Sequence, residues 1–284
     1  MKRLLFAGHG DVARRLEAML PGLPVPPEVR KASRATGFDF DRPDGLAGLA
    51  GWADAVLHSA PPPNAGEADL RTANLLAALD AGGILPSRLV YIGTTGVYGD
   101  CAGAEVDESG AVNPQTPRAL RRADAERRLL DWGAARGVAV VVLRAPGIYA
   151  ADRLPLARLR QGTPVLAAED DVYTNHIHAD DLAAICLAAL SPQAPAGIYN
   201  ASDDSALKMG EWFDLLADRH GLPRPPRIRR ADAGGGRIPE ALLSFMGESR
   251  RVLNAKMKRE LGVRLRYPTV LDGVPMAAPA GGVR

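Results

Sequence analysis

Gly8-His9-Gly10-Asp11-Val12-Ala13 carries the most specific chemistry legible in this 284-residue chain. The segment has the spacing Gly-x-Gly-x-x-(Gly/Ala), follows the apolar run Leu4-Leu5-Phe6-Ala7, and opens a helical pattern over Val12–Met19. At a strand-to-helix joint the first glycine permits a tight turn and the second lets backbone N–H groups approach a pyrophosphate. The small third residue lets the helix pack closely on the strand. Gly8, His9, Gly10, Asp11 and Val12 are therefore read as the wall of a dinucleotide site, with Asp11 required to point outward because a carboxylate repels phosphates. A plain strand-to-helix turn is the competing reading.

About twenty residues further on, an NAD site would carry an acid for the ribose hydroxyls. This chain has Arg30-Lys31-Ala32-Ser33-Arg34 instead. The Ser33 hydroxyl and the Arg34 guanidinium fork suit a 2′-phosphate, which favours NADP over NAD; a solvated basic turn is the alternative. Asp39 is placed against the adenine edge, and Ser59-Ala60-Pro61 beside a ribose.

The elements that must position these residues follow from patterning. Apolar runs alternate with helical patterns, which predicts βαβ units and a doubly wound parallel α/β sheet. Strands are expected at Arg3–Ala7, Glu28–Ala32, Gly37–Phe40, Ala55–Ser59, Leu89–Gly93, Ala139–Arg144, Thr174–His178 and Gly197–Ala201. Helices are expected at Val12–Met19, Asp69–Ala81, Arg118–Arg136, Pro155–Arg160 and Asp181–Leu190. Residues 1–150 read as the dinucleotide-binding domain, its sheet completed by strands near 174–178 and 197–201. Residues 151–284 read mostly as a smaller C-terminal lobe over the sheet's carboxyl edge, with Gly221–Arg237 a long Pro- and Gly-rich loop.

Bulk properties exclude several classes. Lys plus Arg number 35 against 33 Asp plus Glu, a net charge of +2, so no basic face is present for nucleic acid or an anionic membrane. Cys101 and Cys186 have no zinc-motif spacing and read as reduced thiols. The leading apolar run ends at Gly8, too short for a signal core, which points to the cytoplasm. Neither Gly-x-Ser-x-Gly nor a Walker sequence occurs. His176 and His178 share a strand face, but a closed zinc site needs further ligands. Asp180 capping a helix, beside a packed histidine, is the preferred reading, and no metal is expected. Ser249-Arg250-Arg251, with Asn254 and Lys256, either present cations to an anionic substrate or are solvated helix charges.

Four ordered segments carry a family resemblance: Leu89-Val90-Tyr91-Ile92-Gly93-Thr94-Thr95-Gly96-Val97-Tyr98-Gly99-Asp100, Leu143-Arg144-Ala145-Pro146-Gly147-Ile148-Tyr149, Ile177-His178-Ala179-Asp180-Asp181-Leu182-Ala183 and Ile198-Tyr199-Asn200-Ala201-Ser202-Asp203. The chain resembles the extended and atypical short-chain dehydrogenases/reductases, the NAD(P)-dependent epimerase/dehydratase group. The resemblance implies a Rossmann core, a C-terminal substrate lobe, and a homodimer through paired helices. It assigns Thr94 to polarising the reacting oxygen, and Pro146-Gly147-Ile148 to the nicotinamide carboxamide. The family's Tyr-x-x-x-Lys pair is absent. Counting back from Glu126 puts Arg118 at the Tyr position and Arg122 at the Lys position, and no tyrosine lies between Tyr98 and Tyr149. Arg118 and Arg122 are expected to supply positive charge, with Tyr98 the second-choice acid; Asp69 lies near the place of the family's active-site Asn. The expected function is an NADP-dependent oxidoreductase or epimerase/dehydratase acting on a small hydroxyl- or carbonyl-bearing, sugar-nucleotide-like substrate. The rival reading is an NADP-binding sensor or scaffold without catalysis.

Overall fold

The chain was described from a computed structural model over residues 1–276. In chain order the strands are β1 (Arg3–Ala7), β2 (Glu28–Ala32), β3 (Ala55–His58), β4 (Arg88–Ile92), β5 (Glu105–Val106), β6 (Ala139–Arg144) and β7 (Gly147–Tyr149). They continue as β8 (Val165–Leu166), β9 (Tyr173–Thr174), β10 (His176–His178), β11 (Gly197–Asn200), β12 (Leu207–Lys208), β13 (Arg227–Ile228) and β14 (Arg251–Val252). The α-helices are α1 (Asp11–Met19), α2 (Leu70–Asp80), α3 (Pro117–Arg136), α4 (Leu156–Arg160), α5 (Ala179–Ala189), α6 (Met209–Arg219), α7 (Glu240–Phe245), α8 (Ala255–Leu261) and α9 (Val270–Gly273).

Six strands form one parallel sheet in the order β11-β6-β4-β3-β1-β2. Its central strands are apolar on both faces because both faces are covered. Leu4, Phe6, Val90 and Val141 pack with α1 and α5 on one side. Leu5, Val56, Leu89 and Val140 pack with α2 and α3 on the other. The chain winds outward from β1 to β2 and then returns to β3 on the other side, so β1 and β3 flank the point where strand order reverses. Ligands of doubly wound sheets bind beyond the carboxyl ends of strands at such a point. No helix among the described residues is long and apolar enough to cross a membrane.

The C-terminal lobe has its own core of Leu159, Val165, Trp212, Phe213, Leu216 and Met246. It is joined to the sheet side by short strand pairs, β5 with β14 and β7 with β10. Within Gly221–Arg237, read from sequence as a loop, β13 pairs in parallel with β8.

Three local expectations are corrected. Gly37–Phe40 is not a strand: Ser33 caps a 3-10 turn over Arg34–Thr36, and Gly37, at φ +85°, ends it. Phe40 is then buried in the core as an anchor for the following loop. Thr174–His178 does not complete the central sheet but divides at Asn175, with β9 antiparallel to β12 and β10 parallel to β7. The cap of α5 is His178, whose Nδ1 accepts the Asp180 N–H at 3.2 Å; Asp180 itself lies in the first turn.

Candidate active site

The glycine turn forms where β1 ends. Gly8 has φ +89°, and a Cβ there would lie 2.4 Å from the Ala60 backbone nitrogen, so only glycine fits the crossing of the β1 and β3 turns. Ser59 Oγ donates to Gly8 O at 3.0 Å and fixes the same crossing. Gly10 is different: a Cβ there would meet nothing within 4 Å. It is the N-cap of α1 and has no capping side chain, which leaves first-turn N–H groups open toward that space. That opening fits the pyrophosphate of a dinucleotide.

Asp11 does not simply point outward. Arg153 donates to its Oδ2 at 2.8 Å, and Arg15 to both its oxygens at 3.2 Å. Burial pushes the Asp11 pKa up, but the hydrogen bonds from Arg153 and Arg15 outweigh it and hold the carboxyl below its ordinary value. The charge beside that opening is thereby neutralised. His9 turns away, its Nε2 2.8 Å from Glu17, which also pairs with Lys31 at 2.7 Å.

A cavity of about 570 Å³ runs from this turn across the carboxyl edge of the sheet. Gly10–Ala13, Ser59, Thr94, Arg118, Arg122 and Pro146–Ile148 all line it. Thr94 caps the turn after β4: its Oγ1 accepts the Gly96 N–H at 3.1 Å, which leaves the hydroxyl proton available to a ligand oxygen. Arg122 donates to the Tyr91 hydroxyl and to Ile92 O, both at 3.1 Å. Arg118, one turn earlier on α3, lies over the Phe245 ring at 3.9 Å. Gly147 N donates to Asn175 O at 3.1 Å, which sets the Pro146–Ile148 turn against the lobe.

Ser33, Arg34, Asp39, Ala60 and Pro61 lie outside that cavity, at or near the carboxyl ends of β2 and β3. Arg34 is 70% exposed and only loosely paired, 3.9 Å from Asp39 and 3.7 Å from Asp41. Asp41 is instead gripped by Arg71 at 2.7 Å. Asp39 is therefore a partner of Arg34 in this arrangement. Ser33 Oγ lies 3.3 Å from Thr36 Oγ1.

Tyr98 is withdrawn as a candidate acid. It is 1% exposed, outside the cavity, and its hydroxyl donates to Asn200 Oδ1 at 2.8 Å. Burial raises its pKa, against the opposing effect of the Arg144 guanidinium over its ring at 4.7 Å. Asp69 serves α2 as N-cap, accepting from Thr72 N and Oγ1.

The lobe brings residues to the cavity that no motif announced: Arg153, Tyr173, Asn175, Phe245 and Glu248. Arg250, one of the C-terminal cations noted in the sequence, joins them and pairs with Glu248 at 2.8 Å. Arg251 faces away to Gly103 O and Glu105. Lys256 reaches Ile198 O, and Asn254 donates to Ser202 O. The only sequence signal for the Asp11 clamp was Arg15, four residues on along the same helix face.

This architecture is shared with solved structures over nearly the whole chain. A functionally unknown conserved protein from Silicibacter pomeroyi DSS is 28% identical with a TM-score of 0.79, with 96% of each chain covered. The Pseudomonas aeruginosa protein RMD, complexed with NADPH, is 23% identical over 97% of each chain, TM-score 0.74. A dTDP-glucose 4,6-dehydratase from Streptomyces venezuelae, with NAD bound, is 20% identical over 96% of this chain and 94% of its own, TM-score 0.75. No curated protein matches the chain. A family model, described as the NAD dependent epimerase/dehydratase family, matches residues 30–202. With more than half of its length so matched, the chain belongs to the NAD-dependent epimerase/dehydratase family.

Proposed function

We propose that the protein is an NADP-dependent oxidoreductase or epimerase/dehydratase acting on a small hydroxyl- or carbonyl-bearing compound. Family membership supplies the coarse role, an oxidoreductase or epimerase with a nucleotide cofactor. The observation that carries the finer reading is the single cavity joining the Gly10–Ala13 turn to Thr94 and Pro146–Ile148. A turn shaped for phosphates and a hydroxyl free to donate open into one space.

In this reading Gly8 and Gly10 shape the pyrophosphate turn, and Ser33 with Arg34 takes the 2′-phosphate. Asp39 then releases Arg34 on binding, and Ser59, Ala60 and Pro61 flank the ribose. Pro146, Gly147 and Ile148 contact the nicotinamide end, Arg122 holds its ribose or a substrate oxygen, and Thr94 donates to the reacting oxygen. The dinucleotide supplies or accepts a hydride when bound. Electrostatic stabilisation of a developing oxyanion by Thr94 and an arginine is a recognised catalytic contribution. Solved relatives described with NADPH, and with UDP-glucose and NAD, support the cofactor class and suggest a sugar-nucleotide-like substrate.

The second reading, a sensor that binds NADP without turnover, is favoured by one observation: Arg118 stands where the family's proton-transferring tyrosine would, and Tyr98 is sealed away. The two are separated by following NADPH absorbance with a panel of aldehydes, ketones and sugar nucleotides. Turnover that Thr94→Val abolishes supports the enzyme. Tight NADPH binding without turnover across the panel supports the sensor.

A further inference from the structure

The ionisable groups lining the cavity do not balance. Asp11 is matched by Arg153 at 2.8 Å, and Glu248 by Arg250 at 2.8 Å. Arg118 and Arg122 remain. They stand four residues apart on α3, both lining the cavity, and neither forms an ion pair among the described residues. The acceptors of Arg122 are neutral, the Tyr91 hydroxyl and Ile92 O. The Arg118 guanidinium has only the Phe245 ring, 3.9 Å away. The carboxylates that follow on α3 are committed elsewhere, Asp124 to Arg127 at 2.8 Å and Arg128 at 2.6 Å, and Glu126 to Arg144 at 2.8 Å.

Like charges at this helical spacing destabilise each other. Burial lowers the Arg118 pKa, and the Arg122, Arg250 and Arg121 guanidiniums add to that against the opposing pull of Glu248. A stacked guanidinium is held flat, and its free edge is a fork matched to two oxygens of one group. The turn capped by Thr94 touches the same region, since a Cβ on Gly96 would lie 3.4 Å from Thr94 Oγ1 and 4.0 Å from the Ala119 methyl.

We infer that the α3 wall of the cavity is a seat for a compact oxyanion, a carboxylate or phosphate group of the substrate, held by Arg118 and Arg122. This rests on the cavity being the substrate site proposed above. It narrows the substrate to a hydroxyl- or carbonyl-bearing acid or phosphate ester, and it gives the two arginines on α3 a binding role in place of proton transfer.

The test is calorimetric titration of the NADPH-saturated full chain with malonate and, separately, with inorganic phosphate. Saturable binding of at least one probe is expected. Arg118→Gln weakens it by about tenfold or more, Arg118→Lys by less because the charge remains, and NADPH affinity stays within about twofold. The stronger probe identifies the source, carboxylate or phosphate. The inference is overturned if neither probe saturates, or if Arg118→Gln binds both as well as the native chain. Should NADPH itself not bind, the same titration of the free chain decides. Arg118-dependent binding there upholds the oxyanion seat while removing the cofactor reading, and Arg118-independent binding or none overturns the seat as well.

Discussion

Arg144 at the end of β6 and Glu126 in the middle of α3 meet at 2.8 Å, with side chains only 2% and 5% exposed. The pair, made through Arg144 Nε and Nη2, ties the helix that carries Arg118 and Arg122 to the sheet, while Arg144 Nη1 is buried without a hydrogen-bond partner. Removing one member of a buried pair leaves an uncompensated charge.

Glu126→Gln is expected to lower unfolding stability by about 3–5 kcal/mol. Urea denaturation followed by circular dichroism measures it. A loss no larger than that of a surface substitution would show that the pair does not anchor α3.

Gly8 and Gly10 separate folding from binding. Gly8→Ala places a Cβ 2.4 Å from the Ala60 backbone nitrogen at a positive φ, so it should depress the melting temperature and NADPH affinity together. Gly10→Ala meets nothing within 4 Å, so the free protein should melt as the native one does while NADPH affinity falls by about tenfold or more. Unchanged NADPH binding in Gly10→Ala would remove the pyrophosphate from this turn.

Asp203, after β11, is buried with Oδ2 unpartnered, and burial pushes its carboxyl up to about 7 from 3.8. Its folded pKa lies above the unfolded one, so the folded chain retains the extra proton. The stability this group contributes is full below pH about 3.8 and is lost as pH rises through about 7. Asp203→Asn keeps the acceptor for Ser205 N but cannot ionise. The native chain should therefore lose stability relative to Asp203→Asn between about pH 4 and pH 7, at about 1.4 kcal/mol per pH unit. Other titrating groups are common to both chains and cancel in the difference. Parallel stability profiles would contradict the assignment.

What the sequence revealed was what local chemistry decides. The β1 turn was legible because Gly8 and Gly10 do their work through their own backbone and the first turn of α1. The central strands were legible because two-sided burial leaves continuous apolar runs such as Val138–Leu143. Gly37–Phe40 misled because Phe40 is apolar for a different reason: it anchors a loop into the core beside Leu46 and Leu49. Tyr98 looked available until Asn200, 102 residues away, claimed its hydroxyl. The clamp on Asp11 depends on Arg153, 142 residues on, and the Arg250 guanidinium is fixed by Gly99 O across 151 residues. Such contacts leave no periodicity or spacing for a sequence reading to find.

In the proposed function NADP occupies the carboxyl edge of the sheet, with its 2′-phosphate on Ser33 and Arg34. Arg34 is exposed and loosely paired, so its removal disturbs little else. The most direct measurement is the ratio of NADH to NADPH dissociation constants, by fluorescence titration, in the native chain and in Arg34→Ala. The native chain is predicted to prefer NADPH, and Arg34→Ala to lose about tenfold or more of that preference with NADH affinity unchanged, the size of a charge-assisted hydrogen bond. An unchanged ratio would contradict the account.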